Sequence, residues 1–290
     1  MKQKIKLITD SCSDIPKLSA EALHIQVLPF PLTIDGEGYN EGVEFTPEEF
    51  YDRMLAAKEV PTHSQIIPVI FEEVFENAYQ DGYTDVIYTS INANGSTTNS
   101  NAHLAVEQFY EKHPEAADAI RFHIIDSGAY TVSYGMAVME AARKISRGAS
   151  IEEVVAYIQD WVGSVRIYFV PLTLEYAKKS GRISSAAGFV GELLGLKPII
   201  TFENGDSKII DKVRGEKSII PRLIELAKQE MVPETPYSIV HGVDTPLTDE
   251  LVAEMEKYFG KAEGVYPIGA TVSINAGPRV VGIIFKSSSK

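Results

Sequence analysis

Short apolar runs alternate with amphipathic segments of helical length through the first 150 residues, and this alternation limits the fold more than any other feature. Ile5–Thr9, Val27–Ile34, Asp85–Ile91 and Ile120–Asp126 read as strands, and 68–80, 98–112 and 131–146 as helices. Strands separated by helices make βαβ units, so this half is expected to be a mostly parallel sheet with helices on both faces. Residues 151–165 read as a further helix. After it, "RIYFVPLT", "LKPIITF", "SKIIDKV", "YSIVHGV" and "TVSINAG…VVGIIF" read as a second set of strands. The "ENGD" turn joins two of these consecutively, which implies antiparallel pairing mixed with helices. The expected fold is therefore α/β in two domains: an N-terminal mostly parallel αβα domain over 1–165, and a C-terminal α/β domain with a mixed or antiparallel sheet over 166–290. Local signals add a hairpin at "LTIDGEGY" and a helix start at "FTPEEF", where Thr46, Pro47 and Glu49 make a capping box.

The net charge of -13, from 27 basic and 40 acidic side chains, repels phosphate backbones and anionic membranes, so nucleic acid is not an expected partner. No apolar run approaches the roughly 20 residues that span a bilayer, and stable membrane insertion is not expected. The single cysteine, Cys12, cannot form an internal disulfide, and Lys6 interrupts the short apolar run at the start, so a cytoplasmic protein is expected.

Three polar stretches lie where strands lead into helices, the usual place for a ligand in an open α/β sheet. "SINANGSTTNSNA" (90–102) carries no charge. Ser96 and Thr97 stand at the expected start of a helix, where unpaired N–H groups and the helix dipole favour an anion. The same residue types also simply build a turn and a cap. "PTHSQ" (61–65) supplies Thr62 and His63, and a loop histidine of this kind is commonly just solvated. "TDSCSD" (9–14) reads as a routine capping sequence. In "LEYAKKSGRISSAAGFVGELLGLKPII" (174–200) a basic turn at Gly181-Arg182 meets an apolar segment bearing Ala186, Ala187, Gly188, Gly191 and Gly195. Read as a helix, its glycines imply a face approached closely by another helix or by a long thin ligand. "INAGPRVVG" (274–282) reads as a strand stopping at Asn275 before a Gly277-Pro278 turn. No metal-ligand spacing, phosphate-binding glycine loop or hydrolase elbow occurs, and no cofactor or catalytic residue is expected.

Jointly "TDSCSDIP", "PTHSQ", "SINANGSTTNSNA", "IIDSGAYTVSYG", "KKSGRISSAAGFVGELLGLKPII" and "GPRVVGIIF" resemble the DegV family, fatty-acid-binding proteins that include the substrate subunit of bacterial fatty acid kinase. The resemblance covers nearly the whole chain. It implies that a long-chain fatty acid lies between two domains, its carboxylate held by polar loops of the first and its alkyl chain in a tunnel of the second. It further implies that an ATP-binding kinase subunit is the partner and phosphorylates the carboxylate, with no catalytic group from this chain. Ser96 matches the family serine; Thr62, His63, Thr97, Asn275 and Gly277 fall in the matching head-group loops. Arg182 and Arg214, the latter in "KVRGEKS", match basic positions expected to meet the phosphoryl group or the kinase. The chain departs from the family pattern in having His63 for a threonine, Thr97 for a glycine and Asn275 for a histidine. The two exchanges at 63 and 275 are expected to be linked, with His63 carrying the charge-bearing donor. Two other functions are compatible with the residues. One is a phosphotransferase or hydrolase acting on a small acyl or phosphorylated substrate, with His63 activating Ser96. The other is a structural protein whose glycine-rich segment is a dimer face.

Overall fold

The computed structural model describes residues 3–190, 195–243 and 246–288. The chain divides into two compact units, one of Met1–Pro31 with Ser64–Gly163 and one of Leu32–His63 with Ser164–Lys290. A single cut near residue 165 therefore misses an excursion: residues 32–63 belong with the second unit.

In chain order, strand β1 (Ile5–Asp10), helix α1 (Lys17–Ala22) and strand β2 (Ile25–Leu28) begin the first unit. Strands β3 (Pro31–Ile34) and β4 (Glu37–Asn40), helix α2 (Pro47–Ala56) and the two-residue strand β5 (Thr62–His63) follow. Helix α3 (Pro68–Gln80), β6 (Asp85–Ser90), α4 (Thr98–Lys112), β7 (Arg121–Asp126), α5 (Val132–Ser146) and α6 (Ile151–Ser164) complete the first unit's set. The rest is β8 (Val165–Pro171), α7 (Glu175–Ser180), α8 (Ser184–Ala187), β9 (Leu196–Glu203), β10 (Asp206–Arg214), α9 (Ile219–Glu230), β11 (Tyr237–His241), α10 (Pro246–Phe259), β12 (Gly264–Pro267), α11 (Ala270–Ala276) and β13 (Val280–Lys286).

In the first unit the strands run parallel in the order β2-β1-β6-β7. Its central strand β6 is buried at every residue, as a parallel strand covered on both faces must be. Phe71, Phe75, Tyr88, Phe109 and Tyr134 fill the core beside it. The run expected as one strand over Val27–Ile34 is two, β2 and β3, in different sheets. Pro29 and Pro31 lack the N–H a ladder needs, and the intervening Phe30 N–H donates to Ser11 Oγ at 3.0 Å instead.

In the second unit six strands run in the order β10-β9-β8-β13-β11-β12, antiparallel except for the β11–β12 pair. The β9–β10 hairpin turns through Asn204 and Gly205 with φ of 51° and 82°, the left-handed pair that a two-residue hairpin requires. Asp35 and Gly36, at 49° and 88°, do the same between β3 and β4. The Thr46–Glu49 capping box forms as read. Segment 270–276, expected as a strand, is helix α11. Its β-branched residues are overruled by tertiary contacts: the buried Glu41 carboxylate accepts from Thr271 N–H and Oγ1 at 2.8 Å each, supplying partners at the helix start. Among the described residues no helix is long and apolar enough to cross a membrane, and no cluster of three or more His, Cys, Asp or Glu could hold a metal.

Candidate functional site

Helix α11 of the second unit carries Asn275 and ends at Gly277. Ser273 Oγ turns back to Gly269 O at 2.7 Å, and the Gly277 N–H donates to Ser273 O at 2.8 Å, closing the helix. Gly277 has φ +91°, and a side chain there would begin 3.1 Å from the Tyr176 ring. Both the backbone turn and the crowding call for glycine. Two residues before Gly277, Asn275 Nδ2 donates to Thr271 O at 2.7 Å and lies 2.9 Å from His63 Nε2. His63 ends β5, whose register sets Leu32 opposite His63 and Thr33 opposite Thr62. Thr62 is exposed and His63 half-buried. The departures at 63 and 275 are thus in direct contact.

The surroundings of that pair act against a charge on His63. Burial holds the His63 imidazole below its ordinary pKa of 6.5, and the positive charge of Arg182 pushes in the same direction. With one amide hydrogen on Thr271 O, the Asn275 nitrogen can offer His63 only another hydrogen, so Nε2 carries the lone pair and Nδ1 the proton. Burial and Arg182 thus favour the neutral ring over a charged donor.

Arg182 follows Gly181, which closes α7 with a left-handed φ of 69°. The guanidinium is exposed and bonds back to Ser180 O at 3.1 Å. Arg214 is the exposed last residue of β10. Among the described residues, the segment after Arg182 does not continue as one helix past Ala187. Helix α8 has four residues and stops at Gly188, whose φ is -90°; Gly195 is left-handed at φ +67° and belongs to no helix; Gly191 lies outside the described residues. Around Gly188 a side-chain carbon would meet no described atom within 4 Å, so no described part of the protein packs closely against it. Helix α8 is tied to β10 through Ser207 Oγ, which accepts from the Ser185 N–H at 3.0 Å.

In the first unit the neutral loop mostly secures itself. Asn92 Nδ2 donates to Tyr130 Oη at 2.9 Å, Ala93 N–H to Asp126 at 3.0 Å, Asn99 Nδ2 to Ser90 Oγ at 2.9 Å and Asn101 Nδ2 to Ile66 O at 2.8 Å. Thr98 Oγ1 accepts from the Ile66 N–H at 3.3 Å. Ser96 Oγ accepts from the Thr98 N–H at 3.2 Å and shares a hydrogen with Thr98 Oγ1 at 2.9 Å. What is left over is at the loop's tip: Thr97 is exposed, Ser96 half-buried, and the backbone N–H groups of both make no hydrogen bond among the described residues. The Ser96 hydroxyl is engaged with its own helix turn, and Nε2 of His63 is engaged with Asn275.

Like Glu41, the buried carboxylate of Asp10 escaped the sequence reading. Asp10, at the end of β1, accepts from Tyr134 Oη at 2.6 Å, Tyr88 Oη at 2.9 Å and Ile91 N–H at 2.9 Å. Burial beside Asp10 raises both phenols well above their ordinary pKa, so they stay donors. "TDSCSD" reads as a cap, yet Asp10 makes no side-chain cap bond. Its partners lie far along the chain and no local signal could reveal them.

A family model described as an uncharacterised protein of the DegV family matches residues 4–288. A DegV domain-containing protein of Caldanaerobacter subterraneus is 32% identical over 287 residues, covering 98% of this chain and 99% of the relative. Among solved structures, a DegV family protein from Thermus thermophilus, described by its fatty acid binding, superposes with a TM-score of 0.87 at 27% identity, covering 98% and 100% of the two chains. DegV from Bacillus subtilis, described as a fatty acid binding protein, gives 0.83 at 26% identity with 97% and 98% covered.

Proposed function

The chain belongs to the DegV family, and on that premise we propose that it binds a long-chain fatty acid and presents the carboxylate to a separate ATP-binding kinase subunit for acyl-phosphate formation, contributing no catalytic group itself. The observation that carries the binding half is full-length similarity to structures described as fatty acid binding. The chemistry supports it. Each buried methylene contributes ~0.8 kcal/mol, so a dozen contribute roughly 10 kcal/mol before entropic costs. The carboxylate must then be met by donors, since burying it bare is costly. The donors we assign to it are Thr62 and His63 of the second unit and Ser96 and Thr97 of the first; Asn275 and Gly277, whose hydrogens are already committed within the second unit, are assigned to holding His63 and the end of α11 in place. The acyl chain we assign to residues 166–290, where the space around Gly188 is open.

The kinase half rests on the family resemblance and on the exposure of Arg182 and Arg214. Arginine suits a developing acyl phosphate because its planar fork binds phosphoryl oxygens in pairs. Acyl-phosphate formation with a kinase subunit and ATP, assayed on the parent and on Arg182→Ala, tests this half. The variant is expected to retain fatty acid and lose turnover. Full turnover in the variant contradicts the assigned role, and lost fatty acid moves Arg182 into the head-group site.

A further inference from the structure

We infer that Asn275 is a positioning residue that fixes the tautomer of His63. Both hydrogens of its amide nitrogen are committed, one to Thr271 O at 2.7 Å and one to His63 Nε2 at 2.9 Å. The first bond settles which end of the amide is nitrogen, because the oxygen would face a carbonyl oxygen there. The second then makes Nε2 an acceptor, and the ring's one proton resides on Nδ1. An unconstrained neutral histidine favours the opposite tautomer, with the proton on Nε2, so the arrangement is imposed by the protein. Neither α11 nor β3, which pack against β5, carries an ionisable side chain, and the positive charge of Arg182 opposes protonation of the ring.

The consequence for the ligand rests on the fatty-acid reading. A ring held this way meets a carboxylate with a neutral Nδ1–H donor, and its second nitrogen is already satisfied. Head-group binding then needs no proton uptake at neutral pH, and the histidine-for-threonine exchange adds a directed donor without a titrating charge. Asn275 is the companion that makes the exchange work: threonine needs no tautomer set, and histidine does.

The tautomer is measured independently of any lipid. Nitrogen-15 NMR of the histidine side chains in the full-length, lipid-stripped chain at neutral pH should show His63 as the neutral Nδ1–H form. Asn275→Ala should abolish that signature in favour of the Nε2–H form. Asn275→Asp should drive the ring toward the charged form, because a carboxylate can only accept from Nε2; a residue that merely filled space would not have this opposite effect. A parent ring protonated on Nε2, or a ring unmoved by both substitutions, overturns the inference. Failure of the parent to take up a fluorescent fatty acid while the tautomer behaves as described overturns the fatty-acid reading and leaves the role of Asn275 standing.

Discussion

Asp10 is wholly buried, and two tyrosines and a backbone N–H surround it. Tyr134→Phe removes one of those donors while keeping the ring's packing. A hydrogen bond to a charged group contributes ~1.5–3 kcal/mol, and the variant is expected to lose about that much in urea unfolding. An unchanged unfolding midpoint would mean that the carboxylate is met another way. His63 gives a pH-dependent counterpart. Its folded pKa lies below the 6.5 of the free side chain, so the unfolded chain binds the extra proton. The stability it contributes is complete above about pH 6.5 and falls as the pH drops from there toward the depressed folded value. His63→Gln should flatten that part of the stability profile, and an identical profile in both proteins would contradict the burial argument. The sequence identified His63 and Asn275 as coupled departures, because two unusual residues in matching loops can be seen without a structure. It could not give the ring's charge, which depends on burial, on Arg182 and on an amide 212 positions away.

At the scale of elements, strands and helices with a clear period were legible, and those overruled by distant contacts were not. Helices α3 and α4 span the residues their periodicity indicates. Helix α11 does not, since "TVSIN" is strand-like and Glu41, 230 residues away, supplies the acceptors for its first turn. Glu41→Ala leaves the Thr271 N–H and hydroxyl without their carboxylate, and a cost of about 2–3 kcal/mol is expected in chemical unfolding. A cost within ~0.5 kcal/mol, the range of ordinary surface changes, would show that α11 stands without it. The glycine-bearing segment was misread for a simpler reason: small apolar residues suit a helix by composition, but Gly188 ends α8 after four residues. Because its φ is ordinary and the space around it open, Gly188→Leu should fold with stability within ~0.5 kcal/mol of the parent. On the proposed function it should also retain markedly less fatty acid after purification. Equal retention would remove this region from the acyl site.

For the whole molecule, the alternation of strands and helices foretold a parallel sheet in one unit and a mixed sheet in the other, and both are present. The excursion of residues 32–63 into the second unit was not foreseen, because no shift in composition marks positions 31 and 64. On the proposed function it matters, since it carries Thr62 and His63 into the unit that holds Asn275, Gly277 and Arg182. A net charge of -13 gives no general attraction to anions, so on the proposed function the affinity for a fatty acid comes from apolar burial and a few directed donors. Native mass spectrometry of the intact chain, purified from a heterologous host without added lipid, tests that claim most directly. The account predicts a species heavier than the polypeptide by one long-chain fatty acid, released on denaturation and identifiable in the organic extract; a homogeneous lipid-free chain that also fails to take up added fatty acid would contradict it.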